Sequence, residues 1–189
     1  KKQAVGFPSG MRYVHKTQWY SLTDKDSELL QSNTHVWQDI AASFFKVDLE
    51  PRLKIRKMKQ RNWAWNKSVR EEVGRLDQYE VIAGIDIQAG NLIGEYTGTV
   101  RYIGDCATYY YTTDIILPPE FSNLPELVID ASDGGNETQF IKSVSENMDP
   151  NTANCSVMTF YCCSQIRNLI FASKDIKMGD TIILPYQKR

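Results

Sequence analysis

Histidine and cysteine are scarce in this chain. The two histidines, His15 and His35, and the four cysteines, Cys106, Cys155, Cys162 and Cys163, form neither a C-x-x-C pair nor a Cys/His cluster. No tetrahedral zinc site is therefore expected, and no metal. Each cysteine reads as a small buried hydrophobe rather than a disulfide or nucleophile, and each histidine as a structural or surface residue. Long apolar runs are missing too: none approaches the roughly 18 residues that cross a bilayer, so no membrane partner is expected. The opening Lys1-Lys2-Gln3-Ala4 lacks a secretory apolar core. Charge of either sign is not in excess, since the net charge is −1. There is no repeat and no low-complexity segment, and the absence of an initial Met reads as a piece of a longer protein.

What is present suits a folded domain. With 189 residues, 42% hydrophobic and 24% charged, the chain can bury one core. Residues 22–47 read as mostly helical: Thr23 or Asp24 can cap a short helix through Leu30, and Thr34 one carrying Val36, Ile40, Phe44 and Val47 at helical spacing. Pro51 breaks that run. Residues 52–61 then read as a further helix with a basic face, Lys54 to Arg61, that either contacts a nucleosome or is simply solvated. Trp63 and Trp65 read as core anchors.

Beyond residue 75 the period shifts toward strands. From Tyr79 to Tyr102 an apolar strand, the turn Gln88-Ala89-Gly90-Asn91 and a second strand ending in Glu95-Tyr96-Thr97-Gly98 read as a hairpin. Thr108 to Asp114 reads as a strand with aromatics on both faces. From Leu127 two β-rich runs flank the loop from Asp133 to Ile141, and the chain closes on Lys177-Met178-Gly179-Asp180-Thr181-Ile182-Ile183-Leu184-Pro185-Tyr186. The fold class is mainly β with a helical N-terminal flank, α+β.

Three motifs in order carry a resemblance. Ile87-Gln88-Ala89-Gly90 leads into Glu95-Tyr96-Thr97-Gly98, Gln139-Phe140-Ile141 leads through a long loop to Asn154-Cys155, and Phe171-Ala172-Ser173-Lys174-Asp175-Ile176-Lys177-Met178-Gly179-Asp180 precedes Tyr186. Over roughly Leu76 to Tyr186 the chain resembles SET-domain protein lysine methyltransferases, most of all the plant-type trithorax-related enzymes that monomethylate lysine twenty-seven of histone H3, and their protist relatives. The resemblance implies a SET domain over 76–189 behind a helical flank over 1–75. Its fold would be small curved sheets with a pseudoknot-like C-terminal closure.

It also implies an enzyme: a nuclear, S-adenosylmethionine-dependent methyltransferase acting on the histone H3 tail. Tyr186 would be the catalytic tyrosine and Tyr96 the channel tyrosine. Tyr79, Glu80, Val81, Lys142, Ser143 and Asn154 would hold the cofactor, and Tyr109, Tyr111 and Leu184 would meet the substrate. Several positions depart from the family pattern. Thr99 replaces an acid, Gln78 and Glu80 stand where Gly-x-Gly is usual, Lys142-Ser143 replaces Asn-His, and Leu184 stands where an aromatic limits product degree. A catalytically inactive SET-like module that binds a histone tail or another partner therefore stays open beside the enzyme.

Overall fold

The computed structural model of the chain describes residues 12–14, 17–18, 22–32, 53–58, 79–144, 149–162 and 165–185. Trp63, Trp65, both histidines, the expected helix from Thr34 to Val47 and Tyr186 lie outside them. The helix α1 spans Asp24–Ser32, and Thr23 caps it by accepting from the Asp26 N–H at 3.2 Å. Leu30 is the residue it buries.

Leu53–Lys57 is a strand, β1, and not the start of a basic helix. The reason is local: Leu53 and Ile55 alternate with Lys54 and Arg56, so period two gathers the apolar side chains on one face. β1 pairs antiparallel with β2, Tyr79–Ala83, along all five residues. The expected hairpin between 79 and 96 does not form. β3, Leu92–Tyr96, pairs instead with β9, Gln165–Ala172, which also pairs antiparallel with β8, Cys155–Cys162. The second edge of β2 is already taken: the N–H of Ile182 donates to Val81 O and that of Ala83 to Asp180 O, each at 2.9 Å. Of that expectation both strands and the turn survive, with Gly90 at φ +80°, but not their pairing.

A third sheet has the order β4 (Thr99–Tyr102), β6 (Leu127–Asp130), β5 (Thr112–Asp114). The strand expected over 108–114 is thus only three residues long, and Tyr109, Tyr110 and Tyr111 lie in the turn before it. Gly98 joins β3 to β4 where a Cβ would stand 2.3 Å from Asp130 O; only a glycine lets these backbones meet. From the N-terminal side, Val14 and Gln18 meet this junction. Val14 O accepts from the Thr97 hydroxyl at 2.7 Å and Gln18 N–H donates to Gly98 O at 2.8 Å.

Two segments close the molecule. Lys142–Ser143, β7, pairs in parallel with Ile183–Leu184, β10, and Val144 N–H extends the ladder to Leu184 O at 2.9 Å. The segment 180–184 therefore runs between β2 and β7, the closure expected of a pseudoknot-like C terminus. The second is a reciprocal clasp. Ile87 and Ile176 exchange both main-chain hydrogen bonds at 2.8 Å, Gly90 N–H donates to Ala172 O and Gly179 N–H to Ala83 O, each at 2.8 Å. Asp86 accepts from Met178 N–H at 2.8 Å and Asp175 from Ala89 N–H at 2.9 Å. The two strands of sequence, Ala83-Gly84-Ile85-Asp86-Ile87-Gln88-Ala89-Gly90 and Ala172-Ser173-Lys174-Asp175-Ile176-Lys177-Met178-Gly179, share Ala, Asp, Ile and Gly at the same spacing, a short repeat that the sequence reading did not register. Around these elements lies one main core, which takes in Val81, Tyr96, Ile129, Phe140, Ile170, Ile182 and Leu184.

Candidate functional site

The loop after β6 organises the site. Its 3-10 turn, Glu137–Phe140, is capped by Asn136, whose side chain accepts from Thr138 N–H at 3.1 Å and donates to Glu95 O at 2.7 Å. Thr138 Oγ1 lies 3.3 Å from the same carbonyl. This pins the loop to β3 one residue before Tyr96. On the other side the Phe140 ring meets Tyr79 with centroids 5.7 Å apart, tying the loop to the start of β2. The chain then runs directly into β7, against which Leu184 is laid by the parallel pairing. Tyr96, Phe140 and Leu184 are buried in one hydrophobic cluster, with Tyr79, Tyr111 and Ile141 packed against it. Of the residues singled out from sequence, Lys142 and Ser143 are set beside Ile183 and Leu184 by the parallel pairing, Tyr79 meets the turn that precedes them, and Tyr96 follows the residue to which that turn is tied.

Others are committed to the framework. Glu80 accepts from Arg56 Nε at 2.8 Å and from the Thr181 hydroxyl at 3.0 Å, so its carboxylate ties β1 to the C-terminal segment. Val81 is fully buried with its carbonyl engaged by Ile182. Asn154 donates to Thr181 O and accepts from Ile183 N–H, both at 2.8 Å. Beside it Cys155 is pushed up to about 12 by burial, which keeps the thiol protonated and unreactive at neutral pH. Tyr109 is exposed, away from the buried cluster, whereas Tyr111 is half-buried on the core.

Polar residues that the sequence reading passed over hold this arrangement. Glu95 on β3 and Arg167 on β9 form a bidentate ion pair, Nε to Oε1 at 2.9 Å and the second guanidinium nitrogen to Oε2. Asn168 is 0% exposed; it accepts from the Thr159 hydroxyl at 2.7 Å and donates to Asp114 O at 2.8 Å. It thus fastens β5 to β9, opposite Tyr96 in the β3–β9 register. An asparagine between the apolar residues of Ile166 to Ala172 is the signal that could have found it, because a buried amide needs partners. The acids of the loop are likewise paired. Arg101 meets Asp130 at 3.2 Å and also Asp133, and Tyr13 donates to Glu137 at 2.8 Å. Burial first, and then the Glu137 charge and hydrogen bond, push the Tyr13 phenol up.

Among the described residues no group of three or more His, Cys, Asp or Glu is gathered as a metal site, and no helix is long and apolar enough to cross a membrane. A search of curated proteins returns no match. Among solved structures the chain is similar to the ATXR5 SET domain in complex with histone H3 dimethylated on its arginine twenty-six. That match has 21% identity and a TM-score of 0.55, over 95% of this chain and 70% of that one. It is also similar to ATXR5 in complex with histone H3.1 monomethylated on the same arginine, at 20% identity and a TM-score of 0.54, over 100% of this chain and 82% of that one. At these identities the likeness speaks for the fold. The family model described as SET domain matches residues 78–187, and with more than half of its length so matched this chain belongs to the SET-domain family.

Proposed function

We propose that the chain is an S-adenosylmethionine-dependent protein lysine methyltransferase that acts on the histone H3 tail in the nucleus, with residues 1–75 flanking a catalytic domain over 76–189. The observation that carries this reading is the parallel closure of β10 on β7, which sets Ile183 and Leu184 beside Lys142 and Ser143 within the residues that match the SET domain. Tyr186 follows Leu184 by two residues. S-adenosylmethionine would supply a sulfonium-bound methyl group: the lysine nitrogen would attack that carbon in line as the C–S bond breaks and the thioether, S-adenosylhomocysteine, leaves. What the protein must add is alignment and a neutral amine. An apolar wall of Phe140 and Leu184 disfavours the ammonium by desolvation, so the lysine gives its proton to solvent before reaction. The hydroxyls of Tyr96 and Tyr186 then orient the nitrogen lone pair.

The residues available to the cofactor fit it in part. Tyr79 presents a half-buried ring, the half-buried Lys142 a cation and the exposed Ser143 a hydroxyl, groups that suit an adenine, a carboxylate and an amino group. Glu80, Val81 and Asn154 would act by holding β2 and the C-terminal segment in place. Beside this, the basic cluster from Lys54 to Arg61 would meet a nucleosome; among its described residues Lys54 and Lys57 of β1 are exposed. A second reading, an inactive SET-like module that binds a histone tail, draws on the engagement of Asn154 and Glu80 within the protein.

Transfer of radiolabelled methyl from S-adenosylmethionine to a histone H3 peptide tests the proposal. We expect turnover by the wild type and a loss on the order of 100-fold in Tyr186→Phe, the scale of one donor at a reacting centre. No turnover and no calorimetric heat with the cofactor would leave the inactive module.

A further inference from the structure

β8 forms one edge of its sheet, whose order is β3-β9-β8. Ser173 N–H donates to Asn154 O at 2.9 Å, and this sets the phase of the ladder. The even-numbered residues of β8 turn their main chain toward β9 and the odd-numbered ones turn it away. At one end the outer side is taken, since the Cys155 thiol reaches Ile183 O at 3.3 Å. From Val157 to Tyr161 the outer main chain pairs with no described residue. Edges of this kind are ordinarily guarded by a charge, a proline or a bulge. Cys155-Ser156-Val157-Met158-Thr159-Phe160-Tyr161-Cys162 contains no charged residue and no proline, and it pairs with β9 without a register shift. Exposed apolar side chains flank this edge. Met158 is 44% exposed, and Ile116, whose N–H donates to Thr159 Oγ1 at 2.9 Å, is 65% exposed. Met158 and Thr159 point to opposite faces, so apolar surface stands on both sides of the strand. We infer that β8 is a docking edge for a second copy of this chain, the two strands running antiparallel about a twofold axis at Thr159.

The edge is complementary to itself. Val157, Thr159 and Tyr161 are symmetric about Thr159, so the pairing sets Val157 against Tyr161 of the second copy and Thr159 against its own counterpart, each N–H opposite a C=O. A strand without charge meets its own copy without repulsion, whereas a basic peptide finds no carboxylate on it. Met158 then falls directly opposite Phe160 of the second copy, in a pair without main-chain hydrogen bonds, where side chains come closest. Phe160 already packs with Leu92, Leu169 and Phe171, so the contact carries that apolar group across the axis and covers Met158. Two three-stranded sheets become one of six strands. Tyr96, Asn168 and Thr159 stand opposite one another across β3, β9 and β8. The axis continues that row and sets the two copies of Tyr96 five strand spacings, about 24 Å, apart. The inference does not depend on the methyl transfer proposed above.

Sedimentation equilibrium of the chain up to high micromolar concentration tests it. The wild type should sediment as a dimer. Met158→Lys sets a charge on the edge, and Val157→Pro removes one outward N–H while the ladder to β9 stays whole. Both should sediment as monomers with the circular dichroism spectrum of the wild type. If Val157→Pro does not fold, Met158→Lys decides alone. Met178→Lys, which changes a methionine that is 65% exposed and lies outside β8, should remain a dimer. A monomeric wild type, a dimer that Met158→Lys leaves intact, or a dimer lost equally in Met178→Lys would each overturn the inference. A monomeric wild type that binds a labelled histone H3 peptide, with the binding lost in Met158→Lys, would give the edge to a peptide and overturn it as well.

Discussion

At the scale of single residues, the exposed acids of this chain do structural work through main-chain donors. Asp86 accepts from Met178 N–H and pairs with Lys177 at 3.1 Å. The backbone hydrogen bond first, and then the lysine, hold its carboxyl below the ordinary 3.8, and the same pairing raises Lys177 above 10.5. A carboxyl depressed on folding adds stability above its unfolded value and loses it as pH falls through its lower folded value. A lysine raised on folding adds stability below its unfolded value and loses it as pH rises through the higher folded one. Urea midpoints measured from acid to alkaline pH should therefore show Asp86→Asn less stable than the wild type at neutral pH, with the gap closing in strong acid below 3.8. A gap of constant size down to that range would mean that the charge of Asp86 contributes nothing. The sequence marked Asp86 only as a neighbour of Ile87; its partner is 92 residues away.

At the scale of elements, strand identity was legible where the pattern is local and pairing was not. Leu92 to Tyr96 and Leu127 to Asp130 read correctly as strands from their apolar runs. Yet β2 pairs with β1 across 21 intervening residues instead of with its near neighbour β3, because its other edge accepts the C-terminal segment. Residues 52–61 read as a helix because Lys and Arg suit either state; the strict alternation over 53–57 is the better guide. The tyrosines at 109–111 were assigned by β propensity, and the turn that holds them is set by Thr112, whose hydroxyl and N–H both reach Tyr109 O. Of the site, Tyr96, Lys142, Ser143 and Leu184 could be picked by motif, whereas the ties through Asn136, Asn154 and Asn168 depend on distant carbonyls. One such tie yields a prediction. The Glu95–Arg167 pair joins β3 to β9 with side chains only 8% and 12% exposed. Removing one partner leaves a buried charge, so Glu95→Gln or Arg167→Gln should each cost about 3 kcal/mol in chemical denaturation. The double variant should lose clearly less than the sum, and strict additivity would show that the two do not act as a pair.

At the scale of the whole molecule, the segment 180–184 touches β2, β7 and the start of β8 at once. It accepts or donates through Val81, Ala83, Val144 and Asn154. These amides should then exchange hydrogen as a single cooperative unit, the N–H groups of Ala83, Val144, Asn154, Ile182 and Ile183 showing the same opening free energy in native-state exchange. Two separate classes, with the β2 contacts more protected than those at β7, would mean that the closure opens stepwise. The clasp of Ile87 on Ile176 has a different consequence, which concerns how the chain can change in length. It shuts a loop that contains β3 to β9, and the entropy of closing so long a loop grows only with the logarithm of its length, about 0.6 kcal/mol for each doubling. Residues added within the exposed stretch around Ser122 and Asn123 would lengthen that loop by a small fraction, so the connection from β4 to β6 is free to lengthen or diverge while the two halves of the clasp stay joined.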